Sequence, residues 1–131
     1  MKIKSLDIPQ EQINSIIANF SSGRIEEALN DVKVLINNYP NDPVPYNICG
    51  ACYAALGKPQ EAVNFYKKSL KIKPDYAEAH NNLAGTLKEL GQLDNAVEGF
   101  KKSLSIKPDY VEAHNNLGNT LMELDKLDSA I

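Results

Sequence analysis

The chain of 131 residues is expected to fold as an all-α solenoid of antiparallel helix pairs, and three observations carry that expectation. A block of sequence is copied: residues 77–97 and 111–131 agree at 13 of 21 positions, with Glu-Ala-His-Asn-Asn-Leu in both. Three residue types share one period, because Ala28, Ala62, Ala96 and Ala130, then Pro40, Pro74 and Pro108, then Gly23, Gly57 and Gly91 are each 34 apart. Within a period, apolar residues recur at helical spacing on two stretches divided by the glycine. A unit of two amphipathic helices cannot bury its apolar faces alone, so it must stack on the next unit. The array is expected over 9–131, as repeats 9–42, 43–76, 77–110 and an incomplete 111–131.

Residues 1–8 read as an irregular lead-in, with Pro9 placed where a helix can begin. The first helix is expected over about 10–22, since Ile13, Ile16, Ile17 and Phe20 fall at i, i+3, i+4 and i+7. Its opposite side carries Glu11, Ser15 and Ser22, the polar outer face that a terminal repeat needs, so this repeat reads as a cap and residue 1 as a true start. Gly23 breaks the helix, and Glu26 and Glu27 open the next where the helix dipole favours negative charge. Ile25, Ala28, Leu29, Val32, Leu35 and Ile36 carry that helix to about Asn38, where Tyr39-Pro40-Asn41-Asp42-Pro43 stops it. The later pairs are expected at about 44–56 and 59–71, then about 77–90 and 93–105.

Asp75 with Glu78, and Asp109 with Glu112, have capping-box spacing, which assigns the aspartates to the free N–H groups of the helices that follow. Ala62 and Ala96 mark where the two helices of a repeat approach most closely. Repeat 4 is expected to hold a first helix over about 111–124, with a second beginning at Leu127. Five residues cannot hold a helix alone. The chain is therefore expected to be the N-terminal piece of a longer protein.

A net charge of −3 and a pI near 5.4 argue against a nucleic-acid partner, which would favour a basic surface. No apolar run reaches membrane-spanning or signal-peptide length, so the expected location is the cytoplasm, with no membrane partner. No nucleophile elbow, Gly-rich phosphate loop or paired catalytic carboxylates are present, so no catalysis and no cofactor are expected.

Repeat 2 presents Tyr46, Cys49, Gly50, Tyr53, Ala62, Tyr66 and Pro74 at fixed offsets, and repeat 3 presents His80, Leu83, Ala84, Leu87, Ala96, Phe100 and Pro108 at the same ones. This pattern resembles the tetratricopeptide repeat (TPR), with its loose Trp-x2-Leu-Gly-x2-Tyr, Ala-x3-Phe, Pro signature. The resemblance covers nearly the whole chain and implies a right-handed superhelical solenoid whose first helices line a concave groove. It extends to the superhelical TPR arms of O-linked N-acetylglucosamine transferase and of bacterial TPR proteins. The implied groove positions are Val44, Asn47, Ile48, Ala51, Ala54 and Ala55 in repeat 2, and Glu78, Asn81, Asn82, Gly85, Lys88 and Glu89 in repeat 3. Repeat 4 supplies Glu112, Asn115, Asn116, Asn119, Met122 and Glu123.

Asn82 and Asn116 fall on the slot that forms an asparagine ladder in the transferase arm, and an amide can both donate to and accept from a peptide backbone. Ile48 interrupts that slot. The expected peptide contacts are Asn81, Asn82, Asn115, Asn116 and Asn119. A second TPR class clamps acidic chaperone tails with Lys, Asn, Asn, Lys and Arg. The matching slots here hold Asn47, Ala51, Asn82, Glu112 and Asn116, so the cations are missing and a glutamate stands for a lysine. Lys67, Lys68, Lys101 and Lys102 fall on second helices, which leaves a polar, acidic groove and a basic back, suited to a neutral or basic segment.

Cys49 and Cys52 form a C-x-x-C, but inside a first helix, with Cys49 in the leucine slot, so both read as small core hydrophobes. His80 and His114 stand one repeat apart in the aromatic slot and read as packed rings with a polar tip rather than as metal ligands. The function expected is a non-catalytic scaffold holding a protein or extended peptide. Two alternatives stand beside it: a substrate-recruiting arm of a larger glycosyltransferase or sulfotransferase, and a module that self-associates through an uncapped repeat 4.

Overall fold

The computed structural model describes residues 7–129, which form seven α-helices and no strand. They are α1 (Gln10–Ser21), α2 (Ile25–Asn38), α3 (Pro43–Ala55), α4 (Pro59–Ile72), α5 (Ala77–Glu89), α6 (Leu93–Ile106) and α7 (Val111–Ser129). The fold is an all-α helical-repeat solenoid. Most of the expected lead-in, residues 1–6, and Ala130 with Ile131 lie outside the described residues.

Each short turn within a pair is built by glycine. Gly23, Gly57 and Gly91 have φ of 84°, 76° and 81°, a left-handed conformation that costs a residue with a Cβ but not glycine. At Gly91 the N–H donates to the Lys88 carbonyl at 2.9 Å, and the N–H of Gln92 donates to the Leu87 carbonyl at 2.9 Å. These are the two bonds of a Schellman ending, which satisfies carbonyls that α5 leaves open. Gln92 is also the residue from which α6 starts, its carbonyl accepting from the Ala96 N–H at 3.0 Å.

The core is a series of small clusters between neighbouring helices. Ile16, Ala28, Leu29, Val32, Leu35, Cys49 and Cys52 form one across α1, α2 and α3. Ala84, Ala96 and Phe100 form another, with Leu87 and Leu117 packed against it. Ala28, Ala62 and Ala96 are each 0% exposed, as helices at closest approach require. Repeats 2 and 3 place their small close-approach residue on opposite helices. A Cβ on Gly50 would stand 2.6 Å from the Tyr66 ring, whereas a Cβ on Gly99 would stand 2.8 Å from that of Ala84.

Buried serines tie second helices to first helices. The Ser69 hydroxyl donates to the Pro43 carbonyl at 2.8 Å, and that of Ser103 donates to the Ala77 carbonyl at 2.9 Å. Both hydroxyls are thereby satisfied inside the array, where an unpaired one would be costly.

Two expectations are corrected. Asp75 and Asp109 do not cap α5 and α7: α5 starts from Tyr76 without a side-chain cap, and Asp75 sits one residue too early, within a turn closed by the Tyr76 N–H on the Lys73 carbonyl. Asp109 lies in the matching turn, closed by the Tyr110 N–H on the Lys107 carbonyl. The aspartate cap occurs at α3, where Asp42 accepts from the Val44 N–H at 2.9 Å. The second correction concerns α7, which does not stop near residue 124 but runs unbroken to Ser129. Asp125 replaces the glycine of the other repeats, and the left-handed conformation of that turn costs an aspartate but not a glycine.

Candidate functional site

First helices approach one another, α3 against α5 and α5 against α7, whereas second helices make no comparable approach to each other. The first helices therefore line the inner side of the array, and their inward slots form the site.

Histidine and tyrosine set the entry of each first helix. Nε2 of His80 donates to the Pro74 carbonyl at 2.8 Å, and Nε2 of His114 donates to the Pro108 carbonyl at 2.7 Å. A carbonyl can only accept, so both rings carry their proton on Nε2. Tyr46 makes the matching bond from its hydroxyl to the Pro40 carbonyl at 2.8 Å. A ring with a polar tip is what the aromatic slot implied, and the tip holds the proline turn against the helix.

Inside the groove the asparagines bond diagonally from repeat to repeat. Nδ2 of Asn82 donates to Oδ1 of Asn47 at 3.0 Å, and Nδ2 of Asn116 donates to Oδ1 of Asn81 at 3.2 Å. Nδ2 of Asn81 donates in turn to Glu112 Oε1 at 2.8 Å, and that of Asn47 to the Tyr76 hydroxyl at 3.4 Å. Burial raises the Tyr76 and Tyr110 phenols above their ordinary range and keeps them neutral beside these amides. Ile48 does not break this arrangement, because the acceptor for Asn82 is Asn47, one residue earlier in repeat 2. That role was visible as an asparagine 34 before Asn81, but only the diagonal geometry assigns it.

The five expected contacts are placed differently. Asn81 is 1% exposed, with both amide atoms bonded inside the protein. Asn82 and Asn116 are half-buried on the groove wall, each with one amide bond to the preceding repeat. Asn115 and Asn119 are exposed.

Beside them, Gly85, Lys88, Glu89, Asn116 and Glu123 line a hollow between α5 and α7. Lys88 pairs with Glu123 across it at 3.4 Å, and Lys107 reaches Glu78 at 4.0 Å. Glu89 and Glu112 have no cation paired with them among the described residues. Lys67, Lys68, Lys101 and Lys102 are exposed on α4 and α6, away from this wall. The other end of the groove is apolar. Ile17, Phe20, Ile48 and Ala51 line a smaller hollow between α1 and α3, with Asn47 at its edge.

Cys49 and Cys52 are each 0% exposed. Burial pushes the Cys49 thiol up to about 12 and the Cys52 thiol up to about 11, so both stay protonated core groups at neutral pH. No helix among the described residues is long and apolar enough to cross a membrane.

The model of the TPR repeat family matches residues 50–91 and 86–125. No curated protein matches the chain in sequence. Among solved structures, the Sgt2 TPR domain from Aspergillus fumigatus is similar with a TM-score of 0.87 and 15% identity, over 98% of this chain and 88% of that one. The first TPR of Spaghetti (RPAP3), bound to the HSP90 peptide SRMEEVD, is similar with a TM-score of 0.82 and 20% identity, over 88% of this chain and 92% of that one. MamA is similar with a TM-score of 0.78 and 21% identity, over 92% of this chain and 71% of that one.

Proposed function

The chain belongs to the TPR repeat family, and from that premise we propose that it is a non-catalytic scaffold holding an extended segment of a partner protein along its first helices. We read the array as spanning 9–131, in the repeats 9–42, 43–76, 77–110 and 111–131. The observation that carries the binding reading is the diagonal amide ladder. Each rung fixes Asn82 or Asn116 through its Nδ2, so the rotamer is set before a ligand arrives. A held amide whose remaining atoms meet the groove can pair with a peptide backbone of any sequence. Asn115 and Asn119 extend the polar wall along α7. We assign Asn81 a positioning role, since it holds Asn116 on one side and Glu112 on the other.

The Spaghetti domain holds an acidic HSP90 peptide. We propose a different ligand here, because Glu112 and Glu89 would repel such a tail and no Lys or Arg occupies the clamp slots. A neutral or basic segment fits these charges.

The test is titration of an unstructured peptide of Gly, Ser and Lys, followed by fluorescence anisotropy. Asn82→Ala with Asn116→Ala is expected to weaken binding about ten- to a hundredfold, the value of two lost hydrogen bonds. Asn119→Ala separates contact from stability, since its side chain is exposed: weaker binding is expected at an unchanged Tm. Unchanged affinity in both variants would remove the groove as the binding site.

A second reading has its own support. Val111 and Met122 of α7 lie eleven residues apart, on one face of the helix, and are 68% and 59% exposed, an apolar pair on which a second copy could stack. Molecular mass by light scattering that rises with concentration would favour that reading; a constant monomer mass removes it.

A further inference from the structure

The groove has two ends of opposite character, and that difference specifies its ligand. α3 carries no charged residue from Pro43 to Ala55, and α1 carries one, Glu11. Their shared hollow presents Ile17, which is 48% exposed, together with Phe20, Ile48 and Ala51. α5 and α7 instead present Glu78, Glu89, Glu112 and Glu123, of which Lys107 and Lys88 pair with two. The wall at that end keeps an excess of carboxylate. Ile48 occupies the slot held by Asn82 and Asn116 in the next two repeats, so one substitution converts a polar rung into an apolar floor.

Building on the peptide groove proposed above, we infer that it selects a bipartite peptide, with a bulky apolar side chain seated between α1 and α3 and a Lys or Arg side chain over Glu89 in the hollow between α5 and α7. Burying one Leu or Phe in the apolar hollow removes its surface from water and that of Ile17 with it. The carboxylates attract the basic end, and that attraction weakens with salt because they are exposed. The two hollows are separated by two steps between first helices, roughly 20 Å at ordinary helix spacing. An extended peptide covers that distance in about six residues. The amide ladder runs from Asn47 at the apolar hollow to Asn116 in the acidic one and holds the intervening backbone. The ends also fix polarity, since a peptide lying the other way would put its cations on Ile17 and its apolar group on Glu89.

The experiment uses the full chain and a fluorescein-labelled peptide with Leu-Phe and Lys-Arg separated by about five Gly and Ser residues. Three control peptides replace Leu-Phe by Ser-Ser, replace Lys-Arg by Glu-Glu, or shorten the spacer to one residue. Each control is expected to bind about tenfold or more weakly than the parent. Ile48→Asn and Ile17→Ser are expected to weaken the parent peptide to the level of the Ser-Ser control while leaving that control unchanged. Glu89→Gln is expected to flatten the salt dependence. Ile17 is the more exposed of the two apolar positions, so its variant reports on binding if Ile48→Asn lowers the Tm.

If Asn82→Ala with Asn116→Ala weakens every peptide equally and the parent binds no better than its controls, the groove reading stands and the bipartite inference is overturned. If no peptide responds to the asparagine variants, the groove reading fails first. Parent affinity unchanged by both Ile17→Ser and Ile48→Asn also overturns the inference.

Discussion

Helices α5 and α7 open from nearly the same sequence and end differently. Both begin with a histidine bonded to a proline carbonyl six residues back, at 2.8 Å and 2.7 Å, and both project an asparagine that donates to the preceding repeat. α5 ends at Glu89, turns at Gly91 and receives α6 across its apolar face, with Phe100 0% exposed against it. α7 has Asp125 at the turn position, continues to Ser129, and leaves Leu121 and Met122 exposed. At its start a first helix is set partly by a local bond, histidine to the proline six residues back, and partly by an asparagine that reaches the preceding repeat. Where it ends depends on one backbone conformation, open to Gly91 and costly for Asp125.

Removing the packed ring should bring α5 closest to the state of α7. Phe100→Ala opens a cavity beside Ala84 and is expected to cost about 3–5 kcal/mol by urea denaturation, the largest single effect in the array. A cost below about 1 kcal/mol would mean that the cluster around Ala84 contributes little. The next effect compares one slot in two surroundings. Gly50→Ala pushes a methyl into the Tyr66 ring, and is expected to cost about 1–3 kcal/mol by overpacking. Gly118→Ala, 68 residues on, meets nothing within 4 Å and is expected to stabilise α7 by about 0.5–1 kcal/mol through backbone entropy alone. Equal signs for these two substitutions would mean that α7 is covered in solution.

The turn itself is tested by exchanging its residues. Gly91→Asp copies the residue of α7 into a position at φ 81° and is expected to lower stability by about 1–2 kcal/mol. That cost is backbone strain alone, because a Cβ there meets no atom within 4 Å. The reverse exchange, Asp125→Gly, should act least. It is expected to speed amide hydrogen exchange over residues 126–129 while changing global stability by under about 1 kcal/mol.

Much of the architecture was legible because its signals are local. Glycine at 23, 57 and 91, proline at 40, 74 and 108 and apolar spacing of i, i+3, i+4 set the first six helices within a residue or two of where they stand. Ala62 and Ala96 were readable as close-approach points from their shared place in the repeat. The side-chain partners were less legible. Ser69 and Ser103 share the 34-residue period, yet nothing in the chain announces that their hydroxyls meet carbonyls 26 residues earlier. Asp75 and Glu78 match a capping pattern by spacing, but the turn before α5 places Tyr76 where the cap should be.

The site divides along the same line. That Asn81, Asn82, Asn115, Asn116 and Asn119 lie on the inner helices was implied by the resemblance to the TPR family at those repeat positions. That Asn81 is buried between Glu112 and Asn116, and that Asn47 receives Asn82, followed from the offset between stacked repeats, which displaces each helix enough to turn a straight ladder into a diagonal one. Residue order was enough for the repeat and its helices, because backbone preference and apolar periodicity act within a few residues, while the inward positions came from the resemblance to the TPR family. Which amide is committed to the neighbouring repeat and which meets the groove was settled only by packing in three dimensions, because that choice depends on residues 35 apart in the chain and 3.0 Å apart in space.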